Sequence, residues 1–213
     1  MKPRLIYKYL YDYFGPQHWW PVSSGRGDKP FEICVGVILT QNTNWNNVET
    51  ALKNLKKEGL LKPCALAKCP VAKLQRLIRP SGYFRQKAKK IKIFTKYICE
   101  NYNADTEKLF RGELNRKRIE LLSIWGLGPE SVDSMLLYAG NKPTFVVDAY
   151  TVRLCNALGE KFNDYENCRE YFQKRLPRRA KLFNEFHALI VAWGKLYARD
   201  AEAALKIIKK PVR

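Results

Sequence analysis

Two short segments bring together residue types that could do chemistry. Trp125-Gly126-Leu127-Gly128-Pro129-Glu130-Ser131-Val132 sets two glycines ahead of a proline, and Asp148 stands alone in Phe145-Val146-Val147-Asp148-Ala149-Tyr150, twenty residues after Gly128. Glycine adopts positive φ without steric penalty, and proline suits the first position of a helix because its missing N–H would be unpaired there. A glycine turn opening a helix aims N–H groups and a partial positive charge outward, which is an arrangement that binds phosphate. The same pattern also fits an ordinary αα-hairpin whose turn serves only packing. Asp148 reads as an N-cap, a role that needs nothing beyond satisfying first-turn amides. Twenty residues are nevertheless enough for a helix and a return loop to bring the acid back beside a bound phosphate.

The elements that must position these residues are helical. Lys117 to Trp125 carries apolar residues at helical spacing and runs into the turn, and Glu130 to Ala139 continues beyond it. Phe31 to Leu39 is apolar almost all round, which suits a buried strand or a buried helix; its length and continuation favour a central helix. Asn46 to Lys57 is amphipathic with Val48, Leu52 and Leu55 on one face, and Gly59 is a natural stop. Val71 to Ile78 forms a short helix closed by Arg79-Pro80-Ser81-Gly82, and Lys87 to Tyr102 turns Ile91, Phe94 and Ile98 inward. Tyr150 to Leu158, Tyr165 to Arg175 and Phe183 to Leu205 complete the set.

Composition narrows the partner. The chain has 213 residues, is 46% hydrophobic and 13% aromatic, and so can bury a substantial core. Its 39 Lys and Arg against 20 Asp and Glu give a formal net charge of +19, which favours a polyanion, nucleic acid ahead of an anionic membrane surface. Lysine clusters such as Lys53/Lys56/Lys57, Lys87/Lys89/Lys90/Lys92 and Lys206/Lys209/Lys210 read as solvated faces. No run approaches the roughly twenty apolar residues of a membrane span, and Met1-Lys2-Pro3-Arg4 leads into no apolar signal core, so a soluble cytoplasmic protein is expected. Six scattered cysteines (Cys34, Cys64, Cys69, Cys99, Cys155, Cys168) and two histidines (His18, His187) indicate neither a zinc site nor a disulfide framework, and Cys34 and Cys155 read as buried thiols. No metal and no cofactor is expected.

Four blocks, Leu39-Thr40-Gln41-Asn42-Thr43, Arg79-Pro80-Ser81-Gly82-Tyr83-Phe84-Arg85-Gln86-Lys87-Ala88, Gly126-Leu127-Gly128 and Val147-Asp148, occur in the order found in the helix-hairpin-helix DNA glycosylase (endonuclease III) superfamily. The chain resembles that superfamily from about Trp19 to Tyr197. The resemblance implies that Asp148 stabilises positive charge on the sugar and orients or activates the attacking water, that Gln41 wedges into the duplex gap after base extrusion, and that the amides of Gly126 and Gly128 hold a DNA phosphate. A buried carboxylate suits that task because preorganised charge counts for more where water is excluded.

Departures from the family pattern are informative. Strand-cleaving members carry a lysine two residues after the second hairpin glycine, where its amine attacks C1′. Here that position is Glu130, which cannot form an imine, so simple hydrolysis is expected. Nothing after Cys168 is a cysteine, so the [4Fe–4S] cluster of many relatives is expected to be absent. Trp20, ahead of Pro21, and Trp45, just after the Leu39 to Thr43 block, match the aromatic pair that sandwiches the extruded base in the 3-methyladenine DNA glycosylase III branch. An alkylated purine is electron-poor or cationic, and indole faces attract such rings by stacking and by roughly 2 kcal/mol of cation–π energy when desolvated. Either tryptophan could instead anchor the core, and Trp19 reads as structural.

The fold expected is all-α and two-lobed, with a cleft between lobes and no iron–sulfur cluster. One lobe spans 29–143 and holds the wedge and the hairpin; the other joins 1–28 to 144–213. The function expected is that of a monomeric, monofunctional glycosylase acting on double-stranded DNA that contains an alkylated purine such as 3-methyladenine, at the nucleoid. Two alternatives stay open: a glycosylase of the same superfamily for a deaminated, mispaired or oxidised base, and a non-enzymatic DNA-binding module in which Asp148 is only a cap.

Overall fold

The computed structural model describes residues 2–21 and 28–209, and among these no strand occurs. The chain divides into two compact units, Val22–Gly140 and Met1–Pro21 with Asn141–Arg213.

The unit Val22–Gly140 is built around one buried helix. The run that could pass for a strand is α2 (Lys29–Thr40), following α1 (Pro3–Phe14) of the other unit, and its residues from Ile33 to Leu39 are all buried. Its start is fixed by Asp28, whose carboxylate accepts from the Phe31 amide at 2.9 Å and from Thr106 Oγ1 at 2.7 Å. Around it lie α3 (Trp45–Lys57), α4 (Pro63–Lys68), α5 (Val71–Leu77), a 3₁₀ turn at Arg79–Ser81, α6 (Phe84–Tyr102), α7 (Thr106–Leu109), α8 (Leu114–Leu122) and α9 (Pro129–Ser134). Beyond α9 the helix widens by one residue per turn over Met135–Ala139. The inward residues expected of α3 and α6, Val48, Leu52, Leu55, Ile91, Phe94 and Ile98, are all buried.

One expectation fails here. Of the lysines on α6, three are not a solvated face. Lys87 is buried and donates to the carbonyls of Leu39 at 2.8 Å and Ser81 at 2.6 Å. Lys90 donates to Gln41 Oε1 at 2.5 Å. Lys92 reaches the carbonyls of Leu66, Ala67 and Cys69, capping the C-terminal end of α4 where the helix dipole favours a cation.

The second unit packs α1 with α10 (Ala149–Ala157), α11 (Tyr165–Arg175), α12 (Ala180–Arg199) and α13 (Ala201–Ile208). Its core is aromatic: Phe145 stacks on Phe172 with centroids 4.2 Å apart, and Phe183 and Phe186 meet Phe145 edge-on. The single helix expected from Phe183 to Leu205 is broken at Asp200, which ends α12 and caps α13 by accepting from the Ala203 amide at 2.9 Å. Apolar periodicity continues across the break, so only the capping acid marks it. Cys34 and Cys155 are buried free thiols, as their apolar surroundings predict.

Gly194 sets the spacing of α10 on α12. A Cβ built there would stand 2.2 Å from Tyr150 Cδ1, at the start of α10. Gly194→Ala must therefore push Tyr150 aside, and overpacking of this kind costs about 1–3 kcal/mol. Thermal unfolding should show a midpoint lowered by several degrees; an unchanged midpoint would show that the two helices can separate freely.

Candidate functional site

The glycine turn joins α8 to α9. Gly126 has φ +91°, and a Cβ there would also meet Lys90 Cγ at 2.6 Å, so both backbone and packing demand glycine. Gly128 does not use positive φ: it is extended (φ −95°, ψ 175°) and occupies the N-cap of α9, with Pro129 behind it. An N-cap residue needs extended backbone, and glycine there offers no side chain to the first-turn amides while leaving the space in front open. The two arms of the hairpin are tied by Arg118, which donates from Nε and Nη2 to the fully buried Asp133 at 2.9 and 3.0 Å. Trp125, 49% exposed, flanks the turn with the Lys89 ammonium 4.3 Å over its ring.

Gln41, the residue after α2, meets this turn. Its Nε2 donates to Ser131 Oγ at 2.9 Å and lies 3.5 Å from the Gly126 carbonyl, while its Oε1 accepts from Lys90. Gln41 and Gly126 thus come together across 85 residues of sequence. Lys87 lies beneath: burial, and secondarily the charge of Lys90, bring its ammonium down to about 8. Ser131, Lys87 and Lys90 are absent from the sequence reading of the site. A signal for Lys87 was present, since it occupies the same helical stripe as Ile91, Phe94 and Ile98.

In the other unit, Asp148 caps α10. Its Oδ1 accepts from the amide of Thr151 at 2.8 Å and from Thr151 Oγ1 at 3.0 Å, and its Oδ2 stands 3.4 Å from His187 Nε2 of α12. The capping role is therefore real but engages one oxygen; the other faces an imidazole. The carboxylate is 14% exposed. Burial alone would raise its pKa, but the charge and hydrogen bond of His187 and the two bonds from Thr151 outweigh that and hold it below the ordinary aspartate value. It is ionised at neutral pH, as stabilisation of a cation requires. His187, a lone buried histidine in the apolar stripe of α12, also escaped the sequence reading.

The remaining predicted residues are placed less tellingly. Glu130 is exposed in the first turn of α9. Trp45 is the first residue of α3 and half-buried. Trp20 is half-buried in the segment after α1, its ring edge-on to Trp19 at 5.3 Å. Among the described residues no group of three or more His, Cys, Asp or Glu side chains gathers as a metal site. No helix of the described residues is long and apolar enough to cross a membrane.

Residues 35–178 match the model of the HhH-GPD superfamily base excision DNA repair protein. A protein of Methanocaldococcus jannaschii named "Putative DNA repair glycosylase MJ1434" is 46% identical over 199 residues, covering 91% of this chain and 87% of its own. Endonuclease III of Thermotoga maritima is 30% identical over 167 residues, covering 78% of this chain and 73% of its own. Among solved structures, the 3-methyladenine DNA glycosylase MagIII of H. pylori bound to 1,N6-ethenoadenine superimposes with a TM-score of 0.78 at 27% identity, covering 91% of this chain and 97% of that one.

The electrostatics of Asp148 are directly testable. Its depressed pKa contributes stability that is present at neutral pH and is lost as pH falls through the folded-state value. Carboxyl-carbon NMR should show Asp148 titrating below the ordinary aspartate range, and His187→Gln should move that titration upward, because burial remains while the imidazole is gone. If the titration does not move, His187 is not what keeps the acid ionised.

Proposed function

This chain belongs to the HhH-GPD superfamily of base excision DNA repair proteins, and from that premise we propose that it is a monofunctional DNA glycosylase for alkylated purines such as 3-methyladenine. The observation that carries the hydrolytic part is Asp148, an ionised carboxylate with one oxygen uncommitted to its cap. Glu130, where lyase members of the family carry lysine, supports water as the nucleophile. Similarity over nearly its whole length to a 3-methyladenine glycosylase with 1,N6-ethenoadenine bound supports a modified purine as the base.

In this reading the lysine-rich exterior collects duplex DNA through phosphate contacts whose affinity falls as salt rises. The amides behind Gly126 and Gly128 hold one phosphate in register. Gln41 enters the gap as the lesion leaves the stack, a step costing a few kcal/mol that damage lowers. Trp20 and Trp45 offer their faces to the extruded base, with alkylation supplying both charge and leaving-group ability. As the C1′–N bond breaks, the electron pair leaves with the base and positive charge grows on the sugar. Asp148 stabilises that charge and orients the water. Water's oxygen bonds to C1′, keeping one proton as the hydroxyl of the abasic site and releasing the other to solvent, while the cationic purine departs as the neutral free base. The monomeric protein works on DNA at the nucleoid without metal or cofactor.

Base release from a panel of duplexes tests this. Methylated DNA should yield 3-methyladenine, while DNA with uracil, a T·G mismatch or 8-oxoguanine should yield far less; the reverse pattern would replace the alkylpurine reading with that of another lesion. Asp148→Asn preserves the cap, and its excision rate should fall on the order of 10²–10³-fold. Near wild-type excision in that variant would remove Asp148 from the reaction. Borohydride should trap no covalent DNA complex with the native chain, and efficient trapping would show an amine nucleophile elsewhere.

A further inference from the structure

Gln41 is held on both sides of its amide by groups of its own unit. A glutamine amide carries two N–H donors and two carbonyl lone pairs. Ser131 takes one hydrogen at 2.9 Å and Lys90 fills one lone pair at 2.5 Å, while the 3.5 Å contact to the Gly126 carbonyl is long for a hydrogen bond. An acceptor site, and a donor held only by that long contact, thus stay available to bases lining a gap in DNA. The stem of Lys90 lies over Gly126 so closely that a methyl group there would stand 2.6 Å from its Cγ. One side chain therefore touches the wedge with its ammonium and the hairpin turn with its methylenes. Its own base is fixed one turn earlier, where the buried Lys87 ties α6 to the end of α2 through the carbonyl of Leu39.

We propose that Lys90 is a positioning residue that presets the Gln41 wedge, so that the gap-filling amide and the phosphate-holding turn approach DNA as one piece. Glutamine is among the side chains that lose most rotamer freedom on ordering, and a wedge already ordered in the free protein meets that cost before DNA arrives. The inference rests on the reading of Gln41 as the wedge. Lys90 does not touch the reacting atoms; it acts through Gln41.

A double-mutant cycle tests it, read as affinity for a duplex containing a tetrahydrofuran abasic analogue, which needs its gap filled whatever lesion the enzyme prefers. Lys90→Met keeps the stem over Gly126 and removes only the ammonium. We expect Gln41→Ala and Lys90→Met each to weaken binding to the gapped duplex by about fivefold relative to undamaged duplex. In the Gln41→Ala background, Lys90→Met should add less than about twofold, with the salt dependence of binding unchanged. Ser131→Ala, which removes the other bond to the amide, should show the same dependence on Gln41, and thermal melts confirm that each variant is folded.

A full additional loss from Lys90→Met without Gln41, or a salt slope reduced by about one, would make Lys90 a phosphate contact and overturn the proposal. Tighter binding by Lys90→Met would mean that the lysine stows the wedge, and would overturn it equally. If Gln41→Ala is itself neutral, the wedge reading falls. If Gln41→Ala weakens binding but Lys90→Met does not, only the presetting role falls.

Discussion

A helix buried on every side still has to end, and its last carbonyls need donors that water cannot supply there. At the end of α2 one such donor is the ammonium of Lys87, which bonds the Leu39 carbonyl and also that of Ser81 in the 3₁₀ turn before α6. That contact brings three separate stretches together: the residues leading to Gln41, the Arg79–Ser81 turn and α6. Lys90 follows one turn later on the same helix and closes the path to Gln41 and Gly126. Burying a charged amine is costly, and the lowered pKa of Lys87 records that cost. Removing the lysine would leave buried carbonyls unanswered, so the cation is held in place by the helix end it serves.

The elements were legible because their periodicities were strong: α3, α5 and α6 begin and end within a few residues of where apolar spacing and Gly59 or Pro80 put them. Gly126, Asp148 and Gln41 stand out in the sequence because their neighbours form ordered motifs. What sequence concealed was the use made of charged side chains. Lys87, Lys90 and Lys92 look alike in a basic run, yet one sits in a core stripe, one holds an amide and one caps a helix. Periodicity could have singled out Lys87; nothing local could have found Lys90, whose partner lies 49 residues away. The break at Asp200 was missed for a similar reason, since apolar spacing continued where a capping carboxylate stopped the helix. Either glycine of the turn could adopt positive φ, and only Gly126 does; Gly128 is an N-cap with extended backbone, so its lack of a side chain is what matters.

Asp148 shows why the plain and the chemical readings of one residue need not compete. A carboxylate has two oxygens, and the cap takes only Oδ1. The capping bonds orient the group and help keep it ionised despite burial, the state in which a carboxylate can stabilise positive charge. His187 completes that environment from α12. Its position relative to Asp148 is fixed two turns further along that helix, where Gly194 lets Tyr150 of α10 approach. A glycine remote from the acid in sequence thus sets how closely the helix carrying His187 packs on the helix that Asp148 caps.

The same distinction applies to the net charge of +19. Lys87, Lys90 and Lys92 donate to groups of the protein itself, and Lys117 is buried against Tyr102 and Glu120. The pull on a polyanion comes from charge still facing solvent, such as Lys53, Lys56, Lys57 and Lys89. Lys89 differs from its neighbours on α6 in lying over the half-exposed Trp125, the residue before the glycine turn. Exposed charge attracts DNA without regard to sequence, whereas among the internal lysines Lys90 contacts both Gln41 and the turn, and Lys87 ties its helix to the end of α2. Basic residues in this chain therefore divide by burial, not by sequence cluster, into those that face solvent and those that hold carbonyls and amides of the protein itself.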